Sequence, residues 1–177
     1  MEEKSQREAA AAEESRMREQ NGEEPIGGEQ PGEAADPQTA ADNLRRAREY
    51  FGHDLFATAT TGVVIEAAAR NYARCSLRLG PQHKNALQMP MGGALYTLAD
   101  FVFAIASNFD NVPTVTMVSE IRFLTVAGGD QLTAESVYLG EEGRDCRYRI
   151  DITDAPGHTV AEVRMRGRRR RTEKEAK

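Results

Sequence analysis

From Thr60 to Arg168 the chain carries two kinds of hydrophobic pattern. Tyr72 to Leu79 sets Ala73, Cys75, Leu77 and Leu79 on one side and Arg74, Ser76 and Arg78 on the other. A period of two is the mark of a half-buried antiparallel strand. Arg144 to Thr153 repeats it, with Cys146, Tyr148, Ile150 and Ile152 opposed to Arg147, Arg149 and Asp151. Thr60 to Ala69, Thr114 to Leu124, Gln131 to Leu139 and Thr159 to Arg168 read as four further strands. Asn71, Gly80-Pro81, Gly128-Gly129-Asp130, Gly140 to Gly143 and Asp154-Ala155-Pro156-Gly157 separate them with turn chemistry. The turns between the last four strands are short, which predicts a meander.

Ala94 to Asn108 is different. Leu95, Leu98, Phe101, Val102, Phe103 and Ile105 cover almost every direction around a helical wheel, and a helix apolar on all sides is a buried one. It is too short to span a bilayer. Upstream, Leu44 to Phe51 reads as a short helix that Asp42 or Asn43 can cap. The predicted order is helix, two strands, a long buried helix, then four strands. That is an α+β architecture, one helix wrapped by a curled six-stranded antiparallel sheet. A second subunit is expected to supply what cover the sheet cannot.

Charge changes the picture at both ends. The 177 residues carry a net −5, which hides three zones. Residues 1–42 are net −8 and poor in large apolar side chains, so a disordered acidic extension is expected there. Pro25, Gly27, Gly28, Pro31, Gly32 and Pro37 mark a linker at its end. Residues 43–168 form the folded unit, and residues 169–177 a charged, mainly basic tail. The arginine run from Arg164 to Arg171 has no interleaved aromatic residue, so nucleic acid is not an expected partner. The acidic, polar start lacks a secretory h-region, and no long apolar window offers a membrane span. With only Cys75 and Cys146, a disulfide framework is not expected, and the predicted setting is cytoplasmic with reduced thiols. His53, His83 and His158 are too few and too scattered to predict a metal site.

The candidate chemistry gathers around Asp100. It is the only charged residue between Lys84 and Asp110, in the middle of the apolar helix. An ionised carboxylate there is costly unless it is partnered, wet or functional. Just upstream, Gly92-Gly93 opens the helix after Pro90 and Met91. Free N–H groups at a helix start favour negative charge, and glycine lets a ligand approach the backbone. Eight residues of helix separate Gly92 from Asp100 by about 12 Å. One protomer therefore holds them too far apart to act on a single carbonyl, whereas two protomers can combine them.

His83-Lys84-Asn85, followed by Met91-Gly92-Gly93-Ala94-Leu95-Tyr96-Thr97-Leu98-Ala99-Asp100, resembles the hotdog-fold acyl-CoA thioesterases of the phenylacetate-pathway, PaaI-like type. The resemblance runs in outline from Asn43 to Arg168. It implies an acyl- or aryl-CoA substrate, no cofactor, and a homo-oligomer, a dimer or dimer of dimers such as a homotetramer, whose sites are shared between subunits. It further implies that Asp100 is general base or nucleophile, that the Gly92 N–H polarises the thioester carbonyl, and that Asn85 helps to hold the carbonyl or the water. Thr116 falls near a water-orienting hydroxyl. His83, Met91, Gly93 and Phe101 are the expected substrate-binding positions. Two residues depart from the family pattern: Gln88 replaces a glycine and Met91 a histidine. Gln88 is expected to narrow the entrance or to forbid a left-handed backbone.

Three alternatives accompany that reading. One is a non-catalytic hotdog module that binds acyl-CoA or mediates assembly, and another is a hydroxyacyl-thioester dehydratase, whose helix motif would normally carry a histidine. In the third, Arg164, Arg166 and Arg168 to Arg171 contact coenzyme A phosphates.

Overall fold

The computed structural model describes residues 36–171. Of the extension expected to be disordered over residues 1–42, residues 1–35 lie outside those described, as does the tail beyond 171. Helix α1 spans Pro37–Phe51, β1 Val63–Ala69, β2 Tyr72–Arg78 and helix α2 Gly92–Asn108. Strands β3 (Thr114–Phe123), β4 (Gln131–Glu142), β5 (Asp145–Asp154) and β6 (Thr159–Arg169) follow. All neighbours are antiparallel, in the order β1-β2-β4-β5-β6-β3. The sheet curls around α2 and stays open, with β1 and β3 at its edges. This is the expected α+β architecture with its six strands.

Three expectations need correction. Helix α1 starts at Pro37, well before Leu44, and its cap is Asp36 in place of Asp42 or Asn43. The Asp36 carboxylate accepts the Gln38 and Thr39 N–H groups at 3.0 and 3.1 Å. Pro37, taken as linker, sits in the first turn, where its missing N–H costs nothing. Thr60, expected in the first strand, belongs instead to a π-helical turn over Phe56–Thr60. The last four strands are not a simple meander either. Strands β4, β5 and β6 are joined by hairpins, but β3 pairs with β6, and β4 pairs across the sheet with β2. That order lets the two strands before α2 and the four after it close on one helix.

The core forms where the inward faces of the strands meet α2. Leu98, Val102, Phe103 and Ile105 meet Leu77, Leu132, Ile150, Ile152 and Val163 in one apolar cluster. Phe103 and Tyr148 stack edge to face at 5.4 Å. Tyr148 remains satisfied because its hydroxyl donates to Asn71 Oδ1 at 3.0 Å. Glycine at 167 is forced by this packing, since a Cβ would sit 2.7 Å from the Phe103 ring. Helix α1 docks on β1 through buried Ala47 and Phe51, and Arg48 donates twice to the Ile65 carbonyl, at 3.0 and 2.7 Å. Cys75 and Cys146 are both buried thiols. Burial pushes the Cys75 thiol up to about 12, which leaves it inert as a nucleophile.

Of the arginines toward the C-terminus, Arg164, Arg166, Arg168 and Arg169 are β6 residues with acid partners, Arg169 lying in the strand and not in the expected tail, while Arg170 and Arg171 follow the strand. Arg166 and Arg168 both reach Asp145, at 2.8 and 2.7 Å, and Arg169 reaches Glu141 at 2.8 Å. Hydrogen bonds and charge from Arg168 and Arg166 hold the Asp145 carboxyl well below the usual range. No helix among the described residues is long and apolar enough to cross a membrane.

Candidate active site

The site grows from the loop between β2 and α2. His83 is buried at its base, 5% exposed. Its Nδ1 accepts the Gly80 N–H at 2.8 Å, so the proton resides on Nε2, 2.8 Å from the Thr61 carbonyl. Its own carbonyl accepts the Met91 N–H at 2.7 Å, and Lys84 pairs with Pro90. The loop is thereby cinched at its neck, and His83 acts through the loop, with neither ring nitrogen left for a ligand.

Asn85 organises the tip. Its Oδ1 accepts the Leu87 and Met89 N–H groups at 2.9 and 3.1 Å, which assigns the amide orientation. Its backbone exchanges hydrogen bonds with Met89 and Gln88. The Asn85 Nδ2 group makes no hydrogen bond among the described residues and remains a donor. Gln88 adopts φ +62°, so it does not forbid the left-handed backbone; it occupies it. A non-glycine residue there carries steric strain of about 1–2 kcal/mol. Gln88→Gly is expected to relieve part of this, offset by the freedom of glycine in the unfolded chain. The measurable result is a Tm higher by about 2–4 °C at most, for a domain of this size.

Helix α2 then begins without a side-chain cap, its first position flanked by extended Met91. Ala94 and Leu95 N–H groups turn back to the Met91 carbonyl at 2.9 and 3.4 Å. The Gly92 and Gly93 N–H groups have no partner among the described residues. Two free donors at the positive end of a 17-residue helix form a place for developing negative charge. A Cβ on Gly92 would lie 2.9 Å from the Phe123 ring, so the helix start and the end of β3 are in close contact.

Two turns further on stands Asp100, half-buried, with no hydrogen bond or ion pair among the described residues. Desolvation pushes its carboxyl above the usual value, and the negative charge of Asp54 pushes it the same way. Asp54 lies at the head of the π turn that packs against α2. A desolvated carboxylate without a partner is a stronger base than one in water.

The structure therefore brings His83, Asn85, Met91, Gly92 and Gly93 together at one end of α2, with Asp100 farther along it. Met91 is exposed at the helix start. Thr116 stands exposed on edge strand β3, opposite Gly167, and makes no hydrogen bond to Asp100 or Asn85 within the protomer. Phe101 belongs elsewhere: it is 3% exposed and faces the core, because one residue of helix turns it about 100° from Asp100. The aromatic residue at the site is Phe123, 58% exposed. Sequence reasoning missed both Phe123 and Asp54; the run of apolar residues on both faces at the end of β3 was the available sign of the first. Among the described residues, no group of three histidine, cysteine or acidic side chains is placed to hold a metal ion.

No protein-family model matches the chain. It is 29% identical to the acyl-coenzyme A thioesterase PaaI of Escherichia coli K12, over 71% of this chain and 89% of that one. The solved structure of E. coli PaaI, from the phenylacetic acid degradation operon, superposes with a TM-score of 0.63 at 26% identity, covering 72% of this chain and 96% of that one. A putative esterase of Archaeoglobus fulgidus is 25% identical over 51% of this chain; the match spans 59% of that relative, less than two thirds of its length. In sequence and in fold, the chain is similar to the PaaI-like hotdog thioesterases.

Proposed function

We propose that this chain hydrolyses the thioester bond of an acyl- or aryl-coenzyme A. The observation that carries the reading is the uncapped start of α2, where the Gly92 and Gly93 N–H groups stand free at the end of the loop that Asn85 organises. The thioester carbonyl accepts from the Gly92 N–H. Asp100, supplied by a second copy of the chain, takes a proton from water as the water oxygen attacks the carbonyl carbon. Asn85 Nδ2 steadies the carbonyl or the water, and Thr116 orients the water. The oxyanion gathers its charge against the helix end, the electrostatic effect that preorganised donors provide. Collapse breaks the C–S bond, and the proton held by Asp100 passes to the departing sulfur. The products are a carboxylic acid and the free thiol.

The distance along α2 and the sheet edge support a second copy. Val115, Met117 and Val118 on β3 are all about half exposed, and one flank of that strand has no hydrogen-bonded neighbour among the described residues. An apolar open edge of this kind is a template for strand pairing. Pairing β3 with its copy gives a homodimer with shared sites.

The test is release of free thiol from a panel of short, long and aryl acyl-CoAs by the full chain. Turnover is expected on at least one of them. Tight binding without turnover on any of them would overturn the reading in favour of an acyl-CoA-binding module. Loss of water from a hydroxyacyl-CoA, without thiol release, would overturn it in favour of a dehydratase.

A further inference from the structure

We propose that the apolar groove beside the start of α2 receives the hydrocarbon half of the thioester, and that the Phe123 ring sets the length and bulk it accepts. This rests on the thioesterase reading and names the substrate class for that site: acyl groups without charged or hydroxyl substituents. The groove, about 260 Å³, runs between Met89, Pro90 and Leu95 on one wall and Phe123 and Val126 on the other. Gly92 lies on it, so a carbonyl held by the Gly92 N–H has one arm of the thioester directed along it.

The chemistry of the lining selects which arm. Coenzyme A carries two amides and several phosphates, all of which need hydrogen-bonding or charged partners when removed from water. The groove has no charged side chain, and Thr125 is its only side-chain hydroxyl. The same scarcity of partners disfavours acyl groups bearing a carboxylate or hydroxyl. A saturated chain or a plain ring makes no such demand and gains from the apolar walls. Exposed Leu87 and Met91 extend the apolar character to the loop above it.

Phe123 is placed to act as the gauge. Its ring lies against Gly92, where a Cβ would stand 2.9 Å from it. The backbone just beyond it is anchored, since the Leu124 N–H donates to the Val160 carbonyl at 2.9 Å. The ring itself is more than half exposed and outside the core cluster. Shortening it therefore opens the groove without removing a core side chain.

The experiment is kcat/KM for the full-length wild type, Phe123→Ala and Phe123→Leu on acetyl-, hexanoyl-, decanoyl-, palmitoyl- and phenylacetyl-CoA. Malonyl- and 3-hydroxybutyryl-CoA serve as polar comparisons, and thermal unfolding is followed in parallel. Wild type is expected to prefer hydrocarbon acyl groups over the polar ones by at least about tenfold. Phe123→Ala is expected to raise the ratio of long-chain to short-chain kcat/KM by about tenfold or more, with Phe123→Leu between. A wild-type preference for the polar acyl groups overturns the inference. So does an unchanged chain-length profile in folded Phe123→Ala and Phe123→Leu, or an equal loss on every chain. Absence of turnover by the wild type on every thioester is a different result, because it removes the thioesterase reading itself.

Discussion

Asp100→Asn is expected to lower kcat on any hydrolysed acyl-CoA by about 10²–10⁴-fold, the usual contribution of a general base. KM should change little, because the carbonyl is held at the Gly92 end of the helix. The same variant is expected to melt at a higher temperature near neutral pH. The folded carboxyl is raised by desolvation and then by Asp54, so the native state holds its proton more tightly than the unfolded chain does. Stability is then lost as pH climbs from the unfolded pKa through the folded one, and the loss is complete above it. Asparagine carries no charge and escapes that loss. Activity has the opposite dependence, since the base works only once ionised: the acid limb of the rate profile should lie at higher pH than an unperturbed aspartate would give. Asp54→Asn should move that limb to lower pH while leaving turnover in place. Stopped-flow thiol release across pH, with melting curves for the same variants, reads both effects. A variant that loses neither activity nor its pH limb removes Asp100 from the mechanism.

His83→Ala is expected to have the largest effect on stability. It removes both partners of the ring, leaving the Gly80 N–H and the Thr61 carbonyl unsatisfied in a buried place. Each such group costs about 1–3 kcal/mol, so a loss of about 2–5 kcal/mol is anticipated, a large share of a typical domain's stability. Urea unfolding measures it. His83→Gln, which can restore one of the two bonds, should recover part of the loss. Because the His83 carbonyl also holds Met91, loosening the loop should depress kcat more than KM in whatever fraction stays folded. Wild-type stability in His83→Ala would show that the neck of the loop is held by something else.

Much of the architecture was legible because alternation reports a sheet face directly. Cys146, Tyr148, Ile150 and Ile152 point inward as their spacing demanded, and the all-apolar stretch proved to be the buried helix. What escaped depends on contacts distant in sequence. The pairing of β3 with β6 leaves no local trace, since a strand's pattern names its buried face and not its neighbour. The early start of α1 lay in an Asp-Pro pair that reads equally well as a turn, and the π turn at Phe56–Thr60 has no simple period. Within the candidate site, the motif pointed to Asn85, Gly92 and Asp100 but misjudged their surroundings. Phe101 follows Asp100 in sequence yet faces the core, while Phe123 is 31 positions from Gly92 and touches its face. The left-handed Gln88 could not be foreseen from residue preference, because the loop hydrogen bonds around Asn85 override it.

The open β3 edge has a consequence for how such a protein would be handled and regulated. If each site is completed across that edge, activity per molecule is a property of the assembly and follows mass action. Specific activity would fall on dilution along a dissociation curve, and abundance in the cell would act as a threshold, silencing the chain when scarce without any dedicated inhibitor.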